Sequence, residues 1–106
     1  MSNGASTIID VDRVIHEPAR LLILTTLVPV EEADFTYLLR ETGLTKGNLS
    51  SHLSKLEKAG YVEIEKTYQG KLPLTLCRLT PAGRTAFEEY RQTMHAFVLG
   101  LSASGA

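Results

Sequence analysis

LTKGNLSSHLSKLEKAG occupies residues 44–60. At a helical advance of about 100° per residue, Leu49, Leu53, Leu56 and Gly60 fall on one stripe, and that stripe has to face a core. Gly47, Asn48, Ser51, Ser54, Lys55 and Lys58 fall on the opposite side. A helix that meets only water more often carries Glu/Lys pairs there. Small and hydrogen-bonding residues instead allow close approach to another surface. Thr45 is a natural N-cap. The free N–H groups of the first turn carry partial positive charge and can hold a phosphate.

Upstream, residues 18–28 are nearly continuous in apolar side chains, with Pro18 suited to a first helical turn. Leucine content and length predict a helix buried on most sides. Residues 8–16 form a short amphipathic stretch in which Asp10 can cap a turn or two, and residues 1–7 are expected to be disordered. Residues 29–33 read as a loop. Asp34 is an N-cap candidate for a helix over residues 35–42, and Gly43 stands where a helix end wants a left-handed residue. A helix, a glycine-containing turn and a second helix thus follow one another, the helix-turn-helix layout.

Downstream the period changes. Residues 61–68 alternate and are rich in β-branched and aromatic types, residues 69–73 contain a turn, and residues 74–79 alternate again. This predicts a β-hairpin that must pack on the helices, because neither strand is stable alone. Thr80-Pro81 is a strong helix start. The last helix is expected over 81–100, with the segment beyond Gly100 frayed. Its stripe Phe87, Tyr90, Met94, Phe97, Val98 and Leu101 is long and aromatic. Together with Ile8 and Val11 it is expected to contribute to dimerisation, the alternative being that it closes the core of one subunit.

At 106 residues and 43% hydrophobic content the chain suits one globular domain, taken as residues 8–100. The absence of a membrane-length apolar run or a signal-peptide pattern predicts a cytoplasmic protein. The single Cys77 excludes an intrachain disulfide and a cysteine-cluster metal site, and its apolar setting predicts a buried structural thiol. Net charge is only −1, but it is unevenly placed: residues 1–43 hold seven acids against three arginines, whereas residues 44–106 hold eight bases against five acids. The positive part begins with the 44–60 helix, which gives a modest local patch for a polyanion.

HEPARLLIL (16–24), LTKGNLSSHLSKLEKAGYVEIEK (44–66), YQGKLPLT (68–75) and CRLTPAGR (77–84) together resemble the winged helix-turn-helix transcriptional regulators of the MarR/ArsR-like group, nearest to the short winged helix DNA-binding domain branch. The likeness covers nearly all of residues 14–98. It implies a mainly α, α+β fold: a three-helix core, a two-stranded β-hairpin wing and a long C-terminal dimerisation helix. It also implies a homodimeric, prokaryotic regulator that binds double-stranded DNA, with the 45–60 helix in the major groove and the wing, 66–73, on the backbone or in the minor groove. Asn48, Ser51, Ser54 and Lys55 would then reach base edges. Thr45, Lys46, Gly47, Ser50, His52 and Lys58 would line the approach and hold phosphates, and Lys66, Tyr68, Gln69 and Lys71 would carry the wing contacts. Two half-sites would lie about one helical turn, roughly 34–36 Å, apart. The wing departs from the family in carrying Leu74 where a basic residue is common.

His16, His52 and His95 do not share ligand spacing, so no metal or other cofactor is expected. Ser50 and Ser51 stand beside His52, but sequence neighbours on a helix point apart, and no enzyme is expected. A small-molecule effector is compatible with the chain but not indicated by it. The alternative to DNA binding is a winged helix used as a protein-interaction module, which the slightly acidic total favours. Against it stands the lack of large apolar anchors on the 44–60 face.

Overall fold

The computed structural model describes residues 10–105, with side chains as far as Leu101. The elements are α1 (Pro18–Leu27), β1 (Ala33–Asp34), α2 (Phe35–Thr42), α3 (Lys46–Lys58), β2 (Val62–Gln69), β3 (Leu72–Leu79) and α4 (Pro81–Gly105). Three helices, a hairpin wing and a long terminal helix make the expected winged helix. Ile8 and the 1–7 segment lie outside the described residues.

Each helix starts where the chain supplies an oxygen for its free N–H groups. Glu17 caps α1, accepting from the Arg20 amide at 2.8 Å, and Pro18 needs no partner at the first position. Asp34 caps α2, accepting from the Tyr37 amide at 2.7 Å. Gly43 ends that helix at φ +70°, a left-handed conformation that favours glycine. In the segment before α1 the capping residue is Asp12 and not the expected Asp10. Asp12 Oδ1 accepts from the amides of Val14 at 2.9 Å and Ile15 at 3.2 Å, which makes a turn too short to be a helix.

The sheet has three strands in the order β1-β3-β2, not the two of the expected hairpin. Ala33 and Asp34, read as the end of a loop and a cap, pair with Cys77 and Leu76. Two residues are too few to show an alternation. The hairpin turn is tighter than the expected 69–73 stretch. Gln69 pairs with Leu72, which leaves Gly70 and Lys71 as a two-residue loop. Gly70 has φ +66° and no non-glycine among the described residues has a positive φ, which fits a type II′ turn with glycine first.

Leu49, Leu53 and Leu56 of α3 pack with Ile15, Ile23, Leu24, Leu27, Leu38 and Val62 in one core. Cys77 is wholly buried among them. Burial, more than the nearby Glu57 carboxylate, pushes its thiol up to about 11, so this is a structural thiol and not a nucleophile at neutral pH. No helix among the described residues is long and apolar enough to cross a membrane.

The Tyr61 hydroxyl donates to Asp12 Oδ2 and ties the N-terminal turn to the end of α3. That bond, with burial second, pushes the hydroxyl from its ordinary 10 up to about 12. The fold therefore favours neutral Tyr61. The stabilisation is complete below pH 10 and is lost as pH rises through 12. Tyr61→Phe is expected to cost about 1.5 kcal/mol at pH 7 in urea denaturation. The difference from wild type should close as the pH is raised toward 12, the raised value of this hydroxyl. A gap that persists unchanged there would contradict the assignment.

α4 continues to Gly105, past the expected end near residue 100. One glycine costs a helix only about 1 kcal/mol against alanine and does not by itself end it. The helix outruns the body of the domain and makes the described chain elongated, with extents of 58 × 24 × 22 Å.

Candidate nucleic-acid interface

Both ends of α3 are fixed by backbone chemistry. Thr45 Oγ1 accepts from the Asn48 amide at 3.1 Å. At the other end the Gly60 amide donates to Glu57 O and the Tyr61 amide to Leu56 O, both at 2.9 Å, the paired bonds of a Schellman motif. Gly60 stands at φ +82°, where a side chain would be strained. Next along the chain, Thr80 Oγ1 donates to Gly60 O at 2.6 Å and accepts from the Gly83 amide at 2.9 Å. The start of α4 is thus stitched to the end of α3. Gly83 leaves no room for anything larger there, since a Cβ would stand 2.1 Å from the Tyr61 carbonyl oxygen.

With its leucines buried, α3 presents Thr45, Lys46, Gly47, Asn48, Ser50, Ser51, Lys55 and Lys58 to solvent, with Ser54 half-buried. His52 differs from the rest. It lies on the flank of the helix with its side chain 18% exposed. Its Nδ1 is 3.1 Å from an Arg20 guanidinium nitrogen and 3.9 Å from Glu17 Oε1. A guanidinium only donates, so Nδ1 is the acceptor in that contact. With Nδ1 turned to Arg20, the expected phosphate contact of His52 falls to Nε2.

On the other flank a groove of about 630 Å³ separates α3 from the sheet, lined by Ser50, Ser54, Glu57, Ile64 and Lys66 among others. Alternation along β2 puts Lys66 and Tyr68 on the same face as Ile64, toward this groove, and Gln69 on the opposite face. Lys71 sits at the tip. The opposite face is acidic. Arg78 is held there by Glu32, Glu63 and Glu65 at 3.1, 3.0 and 2.5 Å. Hydrogen bonding to Glu65, above all, drives its pKa upward. Its charge is matched by carboxylates and leaves an acid excess, so only the α3-facing side and the tip of the wing are suited to a polyanion.

A capped helix with a small, polar outer face, followed by a two-stranded wing whose basic residues share its side, is the arrangement of one recognised group. The winged helix DNA-binding domain family profile matches residues 19–98, three-quarters of the chain. This chain belongs to the winged helix DNA-binding domain family. An uncharacterised protein of Methanocaldococcus jannaschii is 37% identical over 78 residues, 74% of this chain and 85% of that one. A transcriptional regulator homologue of Pyrococcus horikoshii superposes with a TM-score of 0.84 at 28% identity, covering 92% of this chain and 96% of that one. A MarR-family transcriptional regulator of Silicibacter pomeroyi shares the fold at a TM-score of 0.65 and 21% identity, over 89% of this chain and 62% of that one.

In this winged helix the residues expected at a subunit interface divide into two sets. Tyr90 is only 7% exposed and hydrogen-bonds His16 Nδ1 at 2.7 Å, so it belongs to the core of a single subunit. Val11, Phe87 and Met94 pack half-buried against the same core. Phe97 is half-buried, and Val98 and Leu101 are 54% and 57% exposed, joined by Leu99 at 56%. The stripe is continuous in sequence, but only its first half has a domain body beneath it. Sequence reasoning also missed the bond of Arg20 to His52. Arg20 lies in the acidic half of the chain, and bookkeeping by segment discards a cation that folding carries to α3.

Proposed function

We propose that this winged helix is a sequence-specific double-stranded DNA-binding transcriptional regulator that acts as a homodimer. The observation that carries the reading is the outer face of α3. Lys46, Gly47, Asn48, Ser51, Lys55 and Lys58 are all exposed there and all small, polar or cationic. Such a face fits a major groove about 12 Å wide, where Asn reads adenine and Lys reads guanine edges. Asn48, Ser51, Ser54 and Lys55 take the bases. Lys46, Ser50 and Lys58 take flanking phosphates, and Lys66, Tyr68 and Lys71 the wing contacts. The 28%-identical Pyrococcus protein, a transcriptional regulator homologue, supports this reading.

The projecting end of α4 supports a dimer, because Val98, Leu99 and Leu101 are exposed beside half-buried Phe97. Val98→Glu with Leu101→Glu is expected to convert the dimer to a monomer in sedimentation analysis. A dimer that survives both changes would place the interface elsewhere.

One observation favours a protein-interaction module instead: Tyr68 and Leu72, at the wing end, are each 70% exposed. Selection of bound duplexes from a random pool separates the two. The regulator reading predicts a two-fold symmetric consensus with half-sites 10–10.5 base pairs apart or a multiple of that. Failure to enrich any sequence would favour the interaction module.

A further inference from the structure

Folding brings four cations from two distant segments to one flank of α3. Arg13 and Arg20, with Lys55 and Lys58, line a surface basin of about 420 Å³ whose remaining walls are Val14 and Ala59. No acidic residue lines it. Among the described residues, none of these four cations has a carboxylate within 4 Å, in contrast to Arg78 and Arg91, which do. Glu17, the nearest acid named by any contact, caps α1 through the Arg20 amide and lies beside His52. Like charges gathered without counterions repel one another, so the cluster costs stability unless an anion fills it.

The basin is built as well as charged. Arg20 is half-buried. Its guanidinium donates from Nε to Val14 O, through another nitrogen to Arg13 O at 3.4 Å, and through a third to His52 Nδ1. These acceptors hold the guanidinium in place, and the Glu17 carboxylate, out of direct contact, acts on its charge only at longer range. The side chain of Arg13 is exposed and makes no hydrogen bond among the described residues, so it is free to reach a ligand.

We propose that this basin is a second phosphate clamp, which grips the DNA backbone on the side of the major groove away from the wing. The proposal rests on the regulator reading above. Lys55 and Ala59 lie on the His52 flank of α3, whereas Ser50 and Glu57 on the other flank face the wing groove. A helix in the major groove has one sugar-phosphate strand on each side. Lys66 and Lys71 of the wing meet one strand, and Arg13 with Arg20 meets the other. The N-terminal segment 10–17, which the sequence charge pattern assigns to the acidic half, thereby becomes part of the footprint.

The test is the salt dependence of duplex binding by the full chain and by Arg13→Gln, with the selected duplex and a scrambled one. Arg13→Gln touches no core contact, and circular dichroism checks its fold. Loss of one phosphate contact lowers the log–log salt slope by about 0.9. The advantage of wild type over Arg13→Gln should therefore shrink about 3.5-fold between 50 and 200 mM salt. It should be equal for the two duplexes, since a phosphate contact carries no sequence information. Neutralising backbone phosphates one at a time should identify one whose loss weakens wild type but not Arg13→Gln. An unchanged slope and affinity in Arg13→Gln, with wild-type binding intact, would overturn the clamp alone. A folded wild-type chain that binds no duplex would overturn the clamp and the regulator reading together.

Discussion

Replacing Asn48 and Lys55 together by alanine is expected to remove about 2–6 kcal/mol of affinity for the selected duplex, at least about thirtyfold, while leaving the melting temperature close to wild type. Both side chains are exposed on the outer face of α3. Neither contributes to the core, and exposed substitutions of this kind change stability by less than about 0.5 kcal/mol. Asn48→Ala should relax discrimination at one base pair, because an amide that pairs two edge atoms of adenine is replaced by a methyl group. Lys55→Ala should also reduce the salt slope if its ammonium meets a phosphate as well as a base. Fluorescence anisotropy on the selected duplex, paired with thermal unfolding of the free protein, measures both halves. A double variant that binds as tightly as wild type would place the reading surface elsewhere.

Gly83→Ala is expected to be the most destabilising single methyl in the chain. The added Cβ would lie 2.1 Å from Tyr61 O and 2.8 Å from Tyr61 C. Both are backbone atoms, so no side chain can swing aside. Relief requires α4 to move away from the α3–β2 junction. That strains the bonds from Thr80 to Gly60 at 2.6 Å and from the Thr80 amide to Tyr61 O at 3.0 Å. Overpacking of this kind costs about 3 kcal/mol, or a fall of about 10–20 °C in melting temperature for a domain of this size. Because the same junction fixes the C-terminal end of α3, DNA affinity should fall too, even where the variant remains folded. Gly47→Ala is the control for stability alone, since nothing lies within 4 Å of the corresponding position. A Gly83→Ala protein as stable as wild type would mean that α4 is free to shift at this joint.

Most of the architecture was legible because local signals agreed. The leucines at 49, 53 and 56 and Thr45 at the start all specify the same helix, whereas Gly60, placed on the buried stripe by period alone, lies exposed beyond its end in a left-handed conformation. Gly43 and Thr80-Pro81 mark helix boundaries that need nothing beyond their own backbone chemistry. The parts that were not legible depend on contacts remote in sequence. β1 exists only because β3 offers Ala33 and Asp34 an edge. Asp12 prevails over Asp10 as the cap because it also receives the Tyr61 hydroxyl. Tyr90 reads as an interface aromatic from its stripe, but His16, far upstream, claims it for the core.

The candidate interface was legible in outline for the same reason and incomplete for the same reason. The outer face of α3 follows from one helical period. The partners of His52 do not, because Arg20 and Glu17 come from another helix and its cap. The acidic back of the wing was hidden as well. Glu63 and Glu65 read as alternating strand positions, and only the register with Arg78 shows that they form one cluster with Glu32. The charge count by segment gave the right sign for residues 44–106 but missed the contribution of Arg13 and Arg20.

The regulator reading requires that the outer face of α3 is the surface that meets DNA. Amide chemical-shift mapping on addition of the selected duplex tests this residue by residue. The prediction is that the largest shifts fall on Gly47, Asn48, Ser51, Ser54 and Lys55, with smaller ones at Arg13, Lys66 and Lys71. Shifts confined to Glu63, Glu65 and Arg78 or to α4, with the outer face of α3 unmoved, would contradict it.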